Sequence, residues 1–153
     1  MCLISLSSIP TVAEEDITVY KVLGKFYHAP YLKYQKTDEF GGYIPVRYDY
    51  YPGLNEAMGS EDIRMIWKFN EECKYMIGSG YLHSYSTKAF AMICCQEMFK
   101  QTDAPYYVYE MKIPKGASYF RSEDGREYCS DALIFENTEP VYKEEPVKTI
   151  DEF

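Results

Sequence analysis

Alternating apolar and polar positions predict most of the strands of this chain. Residues 16–23 are rich in β-branched and aromatic side chains and end at Gly24, which predicts a strand. From 106 to 113, aromatic and aliphatic side chains alternate with Glu110 and Lys112, so a strand with one buried face is expected there. Shorter strands are predicted at 81–85, 117–121, 126–130 and 132–136, with a four-residue hairpin loop at 122–125.

Helical spacing predicts two short helices. The first begins at Ser60, which can cap free amides, and ends before Gly78. Its apolar positions recur at steps of three and four: Ile63, Ile66, Trp67, Asn70, Cys73 and Ile77. The second helix follows a cap at Ser86 or Thr87, and its predicted buried stripe consists of Ala89, Phe90, Ile93, Cys94 and Met98.

This order of elements predicts an α+β fold, because the strands cluster towards the C-terminal end rather than alternating with helices. We expect a mainly antiparallel sheet with two short helices. Residues 1–15 are predicted to form an N-terminal arm, 16–138 a single domain, and 139–153 an acidic tail. Tyr142 and Phe153 are the candidate anchors of that tail.

Composition narrows the classes of function. The chain has 153 residues, a formal net charge of -8 and no basic cluster, so nucleic-acid binding is not expected. No apolar run reaches the roughly 20 residues that span a bilayer, and a membrane partner is not expected either. The five cysteines include no C-x-x-C pair, which argues against a structural zinc site. Together with the lack of a signal-like N-terminus, they indicate a cytoplasmic protein.

The richest candidate segment is the end of the predicted strand at 81–85 and the start of the helix after it. It carries His83, Ser84, Tyr85, Ser86 and Thr87 in succession. Hydrogen-bond donors there surround the amides of a helix start, an arrangement suited to a ligand. A purely structural interpretation stays open: His83 bonded to a neighbour within the sheet, and Ser86 or Thr87 serving only as a cap.

Several short motifs resemble the ADP-ribosyltransferase-like fold. They are Val19-Tyr20-Lys21-Val22, the Gly-x-x-His-Ser-Tyr-Ser-Thr segment from 80 to 87, Lys112-Ile-Pro-Lys-Gly116 and Gly125-Arg-Glu-Tyr128. The resemblance implies NAD as a ligand. It places Lys21 at the position of the NAD-contacting Arg or His, and Glu127 near the catalytic glutamate. The residues near the second motif are Ser84, Tyr85, Ser86 and Thr87. The candidate catalytic residues are therefore Glu127, Tyr85 and His83, and the candidate ligand-binding residues are Lys21, Ser84, Ser86 and Thr87. Lysine lacks arginine's planar fork, and His83 precedes the hydroxyls, so both depart from the family pattern.

Two hypotheses follow from the sequence. The first is an acidic binding or accessory domain that uses a tyrosine-lined cleft for a protein partner or a small nucleotide-like ligand, since 17 residues are tyrosine. In size and acidity it resembles small proteins of bacteria and their phages. The second is an ADP-ribosyltransferase-like domain. It requires Lys21, His83, Tyr85 and Glu127 to face one hollow, whereas the plain alternative makes Lys21 and Glu127 ordinary surface charges.

Overall fold

Short strands and a helix make up the described part of the chain. The computed structural model describes residues 3–7, 9–29, 33–36, 43–46, 49–57, 66–68, 75–77 and 81–146. Within them the helix α1 (Lys88–Thr102) accompanies the following strands: β1 (Leu3–Ser5), β2 (Thr11–Val12), β3 (Ile17–Gly24), β4 (Lys33–Lys36), β5 (Tyr43–Val46), β6 (Gly53–Glu56), β7 (Ile66–Lys68), β8 (Tyr75–Ile77), β9 (Leu82–Tyr85), β10 (Tyr106–Ile113), β11 (Ser118–Arg121), β12 (Glu127–Ser130), β13 (Ala132–Phe135) and β14 (Tyr142–Glu144).

Nine of these strands form one antiparallel sheet in the described part. Their order is β2-β11-β12-β9-β3-β10-β13-β6, and β14 also pairs with β10. The longest ladder joins β3 to β10 over eight register pairs, from Tyr106↔Gly24 to Ile113↔Ile17. The described strands also form two smaller sheets, β1-β8-β7 and β4-β5. The prediction of an α+β fold with a mainly antiparallel sheet is therefore confirmed.

The prediction of a first helix at 60–77 is wrong. Residues 66–68 and 75–77 form the paired strands β7 and β8, with Ile66 opposite Ile77. Strand β8 also pairs with β1, through Leu3↔Ile77 and Ser5↔Tyr75. Ile, Trp and Tyr suit strands as well as helices, and pairing with a distant segment decides between the two. The rest of the predicted helix, at 60–65 and 69–74, lies outside the described residues.

The second predicted helix is confirmed as α1. Thr87 is its N-cap, with an extended backbone and a side-chain oxygen that accepts a hydrogen bond from the Phe90 amide. The predicted buried stripe is partly wrong, because Ala89 is exposed and Ile93 is 55% exposed. The fully buried positions are instead Ala91 and Cys95. No helix in the described ranges is long and apolar enough to cross a membrane.

Strands β12 and β13 make the large sheet curl. Only Asp131 separates them along the chain, yet β12 pairs with β9 and β13 pairs with β10, on opposite sides of β3. The almost continuous stretch 127–135 therefore brings the two halves of the sheet together. An inner face becomes enclosed, and an outer face carries α1.

Both faces of the curled sheet are buried around β3 and β10. The inner face holds the largest apolar cluster, to which β3, β9, β10, β12 and β13 all contribute. In β10 its members include Met111 and Ile113, as the alternating pattern predicted. On the outer face, Val22, Tyr106 and Val108 pack with Ala91 and Cys95 of α1. A second outer cluster, under β1, contains Leu3, Tyr81, Phe120 and Cys129.

The segments outside the predicted domain also contribute strands. Within residues 1–15, β1 pairs with β8 and β2 pairs with β11. Within residues 139–153, β14 pairs with β10, with Tyr142 opposite Val108. Phe153, the other candidate anchor of the tail, lies outside the described residues. The domain boundaries at 15/16 and 138/139 stay a prediction.

Candidate functional site

A transverse row of four side chains crosses the inner face. Lys21 lies opposite Tyr109 in the β3–β10 ladder. The β3–β9 register, anchored at Tyr20↔Tyr85, places Ser84 on the other side of Lys21. Ser84 in turn lies opposite Tyr128 of β12. Paired residues of adjacent strands share a face, so Tyr109, Lys21, Ser84 and Tyr128 form one row, which we call the inner row.

Lys21 is a buried cation within this row. It is 8% exposed, and its immediate same-face neighbours on β3, Val19 and Leu23, are fully buried. Its Nζ donates a hydrogen bond to the main-chain oxygen of His83 at 2.5 Å and lies 5.0 Å from the centroid of the Tyr50 ring. Burial lowers the pKa of Lys21 to about 8, an effect that the Cys129 thiol partly offsets. At neutral pH the amine therefore stays largely protonated.

No acidic side chain of the described residues forms an ion pair with Lys21. Tyr109 provides no counter-charge, because burial raises the pKa of its phenol to about 12. Buried charges in proteins are normally paired, since desolvation of an unpaired ion costs several kcal/mol. The hydrogen bond to a carbonyl and the contact with Tyr50 offset only part of that cost. Within the described ranges, the ammonium group thus lacks the anion that its burial calls for.

Ser84 adds a second unsatisfied group to the inner row. It is 1% exposed, and its hydroxyl has no hydrogen-bond partner within the described part of the chain. A buried hydroxyl without a partner costs about 1–3 kcal/mol. Ser84 and Lys21 are neighbours on one face, so a single polar occupant can receive hydrogen bonds from both. Together they offer one positive charge and a hydroxyl donor.

The outer face carries a second row of side chains. It includes Tyr85 and Glu127, which were candidate site residues in the sequence analysis. Register pairs place Glu110, Tyr20, Tyr85 and Glu127 side by side, which we call the outer row. The rings of Tyr85 and Phe90 meet edge to face with centroids 5.3 Å apart. Glu127 is partly buried, and burial raises the pKa of its carboxyl, with a further contribution from Asp124. Burial raises the pKa of the Cys94 thiol, on α1, and a hydrogen bond with Tyr85 partly offsets this rise.

His83 also lies on the outer face, but it contacts a cysteine. Its Nδ1 is 3.1 Å from the Sγ of Cys129, its register partner on β12. Both residues are buried, next to the apolar cluster under β1. The sequence reveals no such pair, because 46 residues separate the two and only the strand register brings them together. A contact with a neighbouring strand is what a purely structural role for His83 would require.

Thr87 and Ser86, at the start of α1, both make local contacts. The side-chain oxygen of Thr87 accepts a hydrogen bond from the Phe90 amide as the helix cap. The main-chain amide of Ser86 bonds to the carbonyl of Arg126, which joins the strand end to the turn before β12. These contacts fix the turn between β9 and α1. Neither hydroxyl lies in the inner row with Ser84.

The second hypothesis requires Lys21, His83, Tyr85 and Glu127 to face one hollow, and the strand register does not meet this condition. Lys21 lies on the inner face, whereas the other three lie on the outer face. Alternation along β3 explains this, because Tyr20 and Lys21 are consecutive and must point to opposite sides. The interpretation of Lys21 and Glu127 as ordinary surface charges is wrong as well, since both are at least partly buried.

A proposal for the function must rest on the geometry of the two rows. Among the described residues, no three His, Cys, Asp or Glu side chains come together as ligands for a metal ion. Comparisons with protein-family models, curated proteins and solved structures find no match. The inner row, with a buried cation beside a buried hydroxyl, is the arrangement with the clearest need for a partner.

Replacement of Lys21 by methionine is expected to raise stability at neutral pH and to change its pH dependence. The folded pKa of about 8 lies below the ordinary value of 10.5, so between these values the unfolded chain binds more protons than the folded one. The unmodified protein should therefore gain stability relative to Lys21→Met as the pH rises through this window, by about 3 kcal/mol in total. Urea unfolding of both proteins measures the difference. A difference independent of pH would contradict the buried-cation assignment.

Proposed function

We propose that this protein is a binding protein for a small anionic ligand, held on the tyrosine-rich inner face of its curled sheet. The ligand class is a molecule with a carboxylate or phosphate group. The observation that carries the proposal is the buried Lys21 without an acidic partner in the described part, next to the unsatisfied Ser84. An anion supplies the missing charge and accepts hydrogen bonds from both groups.

The aromatic surroundings fit a ligand with an apolar or planar body. Tyr50, Tyr109 and Tyr128 are buried on the inner face, and Tyr27 and Tyr119 pack against them. The Tyr50 ring covers the Lys21 ammonium. The main-chain amide of Tyr50 donates a hydrogen bond to the carbonyl of Tyr27. Such sites join a mostly apolar wall to a few placed polar groups. Recognition rather than catalysis is the role that this arrangement supports.

Anion-dependent stabilisation tests this proposal. Thermal unfolding is measured with inorganic phosphate, acetate or ADP-ribose at constant ionic strength. A ligand at about a hundred times its dissociation constant adds about 2.7 kcal/mol to the free energy of unfolding. We expect at least one of the three to stabilise the unmodified protein, and the effect to be lost in Lys21→Met and weakened in Ser84→Ala.

The matched control is Lys25→Met, which removes an exposed lysine four residues further along the chain. It should respond to the anion as the unmodified protein does. A shift that survives in Lys21→Met would place the anion elsewhere. The proposal is also overturned if none of the three compounds shifts the unfolding temperature.

A second candidate function is the ADP-ribosyltransferase-like one, with NAD bound at the outer row. It is favoured by the direct pairing of Tyr85 with Glu127 across β9 and β12, together with the raised pKa of the Glu127 carboxyl. A partly buried carboxylate next to an aromatic ring can bind a ribose hydroxyl and stabilise an oxocarbenium-like state. Lys21 takes no part in this version, because it lies on the other face.

Thermal unfolding in the presence of NAD distinguishes the two candidate functions. If the outer row binds NAD, millimolar NAD should raise the unfolding temperature, and Glu127→Gln or Tyr85→Ala should abolish that shift. Lys21→Met should leave it unchanged. Glu136→Gln, which removes an exposed carboxylate immediately after β13, is the control. An NAD shift that Glu127→Gln leaves intact, or no shift at all, excludes this candidate.

A further inference from the structure

Exposed apolar side chains accompany the edge strand β2. Leu6, Ile9 and Val12 are 62%, 75% and 59% exposed. Exposed apolar side chains are common singly, but three within seven residues indicate an interaction surface. Strand β2 is the last strand on its side of the nine-stranded sheet, and no other strand of the described ranges pairs with its outer side. We call Leu6, Ile9 and Val12 together with β2 the edge patch.

The main chain of Val12 presents a donor and an acceptor to the outer side of this edge. Its register partner on β11 is Ser118, whose amide and carbonyl both bond to Asp131 on the side away from β2. The next residue of the strand, Ala13, gives its amide and carbonyl to residues 116 and 117. Because these groups alternate sides along an antiparallel strand, the amide and carbonyl of Val12 point away from β11. A further strand laid against β2 can bond to both.

Acidic side chains lie at both ends of the edge patch. Glu14, Glu15 and Asp16 follow β2 directly, and all three are exposed. The antiparallel register brings the start of β2 towards the end of β11, where Glu123 follows. Glu123 is exposed and borders a recess of about 280 Å³ that Leu6 and Ile9 also line. An occupant of this edge therefore meets apolar side chains in the middle and carboxylates on either side.

The basic side chains near this edge do not cancel the acidic ones. Arg121 also lines the recess, but its guanidinium donates hydrogen bonds to the Gly125 carbonyl and lies 5.4 Å from the centroid of the Tyr128 ring. At the other end, the main-chain amide of Lys115 bonds to the carboxylate of Asp16. The four acidic residues outnumber these two basic ones, so the potential at the edge is negative, like the net charge of -8.

We propose that the edge patch binds an extended basic segment of a partner protein, which adds a strand to the sheet beside β2. The segment's main chain pairs with the amide and carbonyl of Val12, and its apolar side chains contact the edge patch. Its lysine or arginine side chains lie near the acidic residues at the two ends, and this charge complementarity selects the partner. A second copy of this chain is disfavoured, because it would bring the same carboxylates together. The inference does not rest on the proposed ligand site.

Fluorescence anisotropy with a synthetic peptide tests this inference. The probe is a labelled decapeptide of alternating valine and threonine with two lysines at each end, and the comparison peptide carries glutamate in place of every lysine. We expect the lysine peptide to bind, and its affinity to fall as added salt screens the charges. The glutamate peptide should bind at least about tenfold more weakly, which corresponds to about 1.4 kcal/mol.

Val12→Pro tests the strand pairing itself. It removes an amide hydrogen that points away from β11, and proline is tolerated on an edge strand after an extended residue such as Thr11. Binding of the lysine peptide should weaken by about tenfold or more. Val12→Thr is the matched control, because it keeps both the amide and the branched side chain, and it should bind nearly as the unmodified protein does.

Glu15→Lys tests the charge complementarity, with Glu139→Lys as its control at an exposed position between β13 and β14. Only Glu15→Lys should weaken binding of the lysine peptide, and circular dichroism should show that every variant is folded. The inference is overturned if the lysine peptide does not bind, if both peptides bind equally, or if folded Val12→Pro binds normally. It also fails if Glu139→Lys weakens binding as much as Glu15→Lys, or if the chain alone forms a dimer that Val12→Pro dissociates.

Discussion

The antiparallel ladder between β3 and β10 is the interaction on which the rest of the fold depends. Its eight register pairs form the longest pairing in the described part, and both of its faces are covered. One face receives α1, and the other becomes the interior of the curled sheet. On the inner face of β3, the neighbours of Lys21 along the strand, Val19 and Leu23, are fully buried. The charged side chain between them is therefore buried as well.

Retention of a lysine at such a position carries a cost that apolar side chains would avoid. Replacing buried ionic groups with apolar residues of similar volume is often neutral or stabilising. In the inner row the costs of Lys21 and Ser84 add up at neighbouring positions, and one anion relieves both. The proposed ligand site thus follows from unsatisfied groups rather than from a motif. The outer row is a separate chemical environment, since the sheet itself lies between the two.

Strand alternation made part of the fold predictable from the sequence. The pattern of β10 identified its inner-face residues, and the cap before α1 located the start of that helix. The prediction of a helix at 60–77 failed because spacings of three and four also occur by chance in short strands. Of the two strands found there, β7 pairs with β8, and β8 also pairs with β1, about 70 residues away in the chain. Likewise, the buried face of α1 was predicted wrongly at Ala89 and Ile93. The side of the helix that becomes buried depends on how α1 packs against the sheet, which the local sequence does not determine.

The candidate site was predictable only as a set of residues. Lys21, Ser84, Tyr85 and Glu127 were all identified from the sequence, but the division into inner and outer rows depends on strand register. The contact between His83 and Cys129 has the same origin. Local sequence determines which residues alternate along a strand, whereas pairing between distant segments determines which residues meet.

Direct titration of the Lys21 side chain tests the central claim, namely that a protonated amine is buried on the inner face without an acidic partner among the residues that the structure describes. Carbon-13 NMR of labelled lysine reports the Cε resonance of each residue as a function of pH, and Lys21→Met assigns the signal. We expect the Lys21 signal to titrate with a pKa of about 8. Titration at the ordinary value of 10.5 would mean that the amine is solvated or paired with a carboxylate, and would contradict the claim.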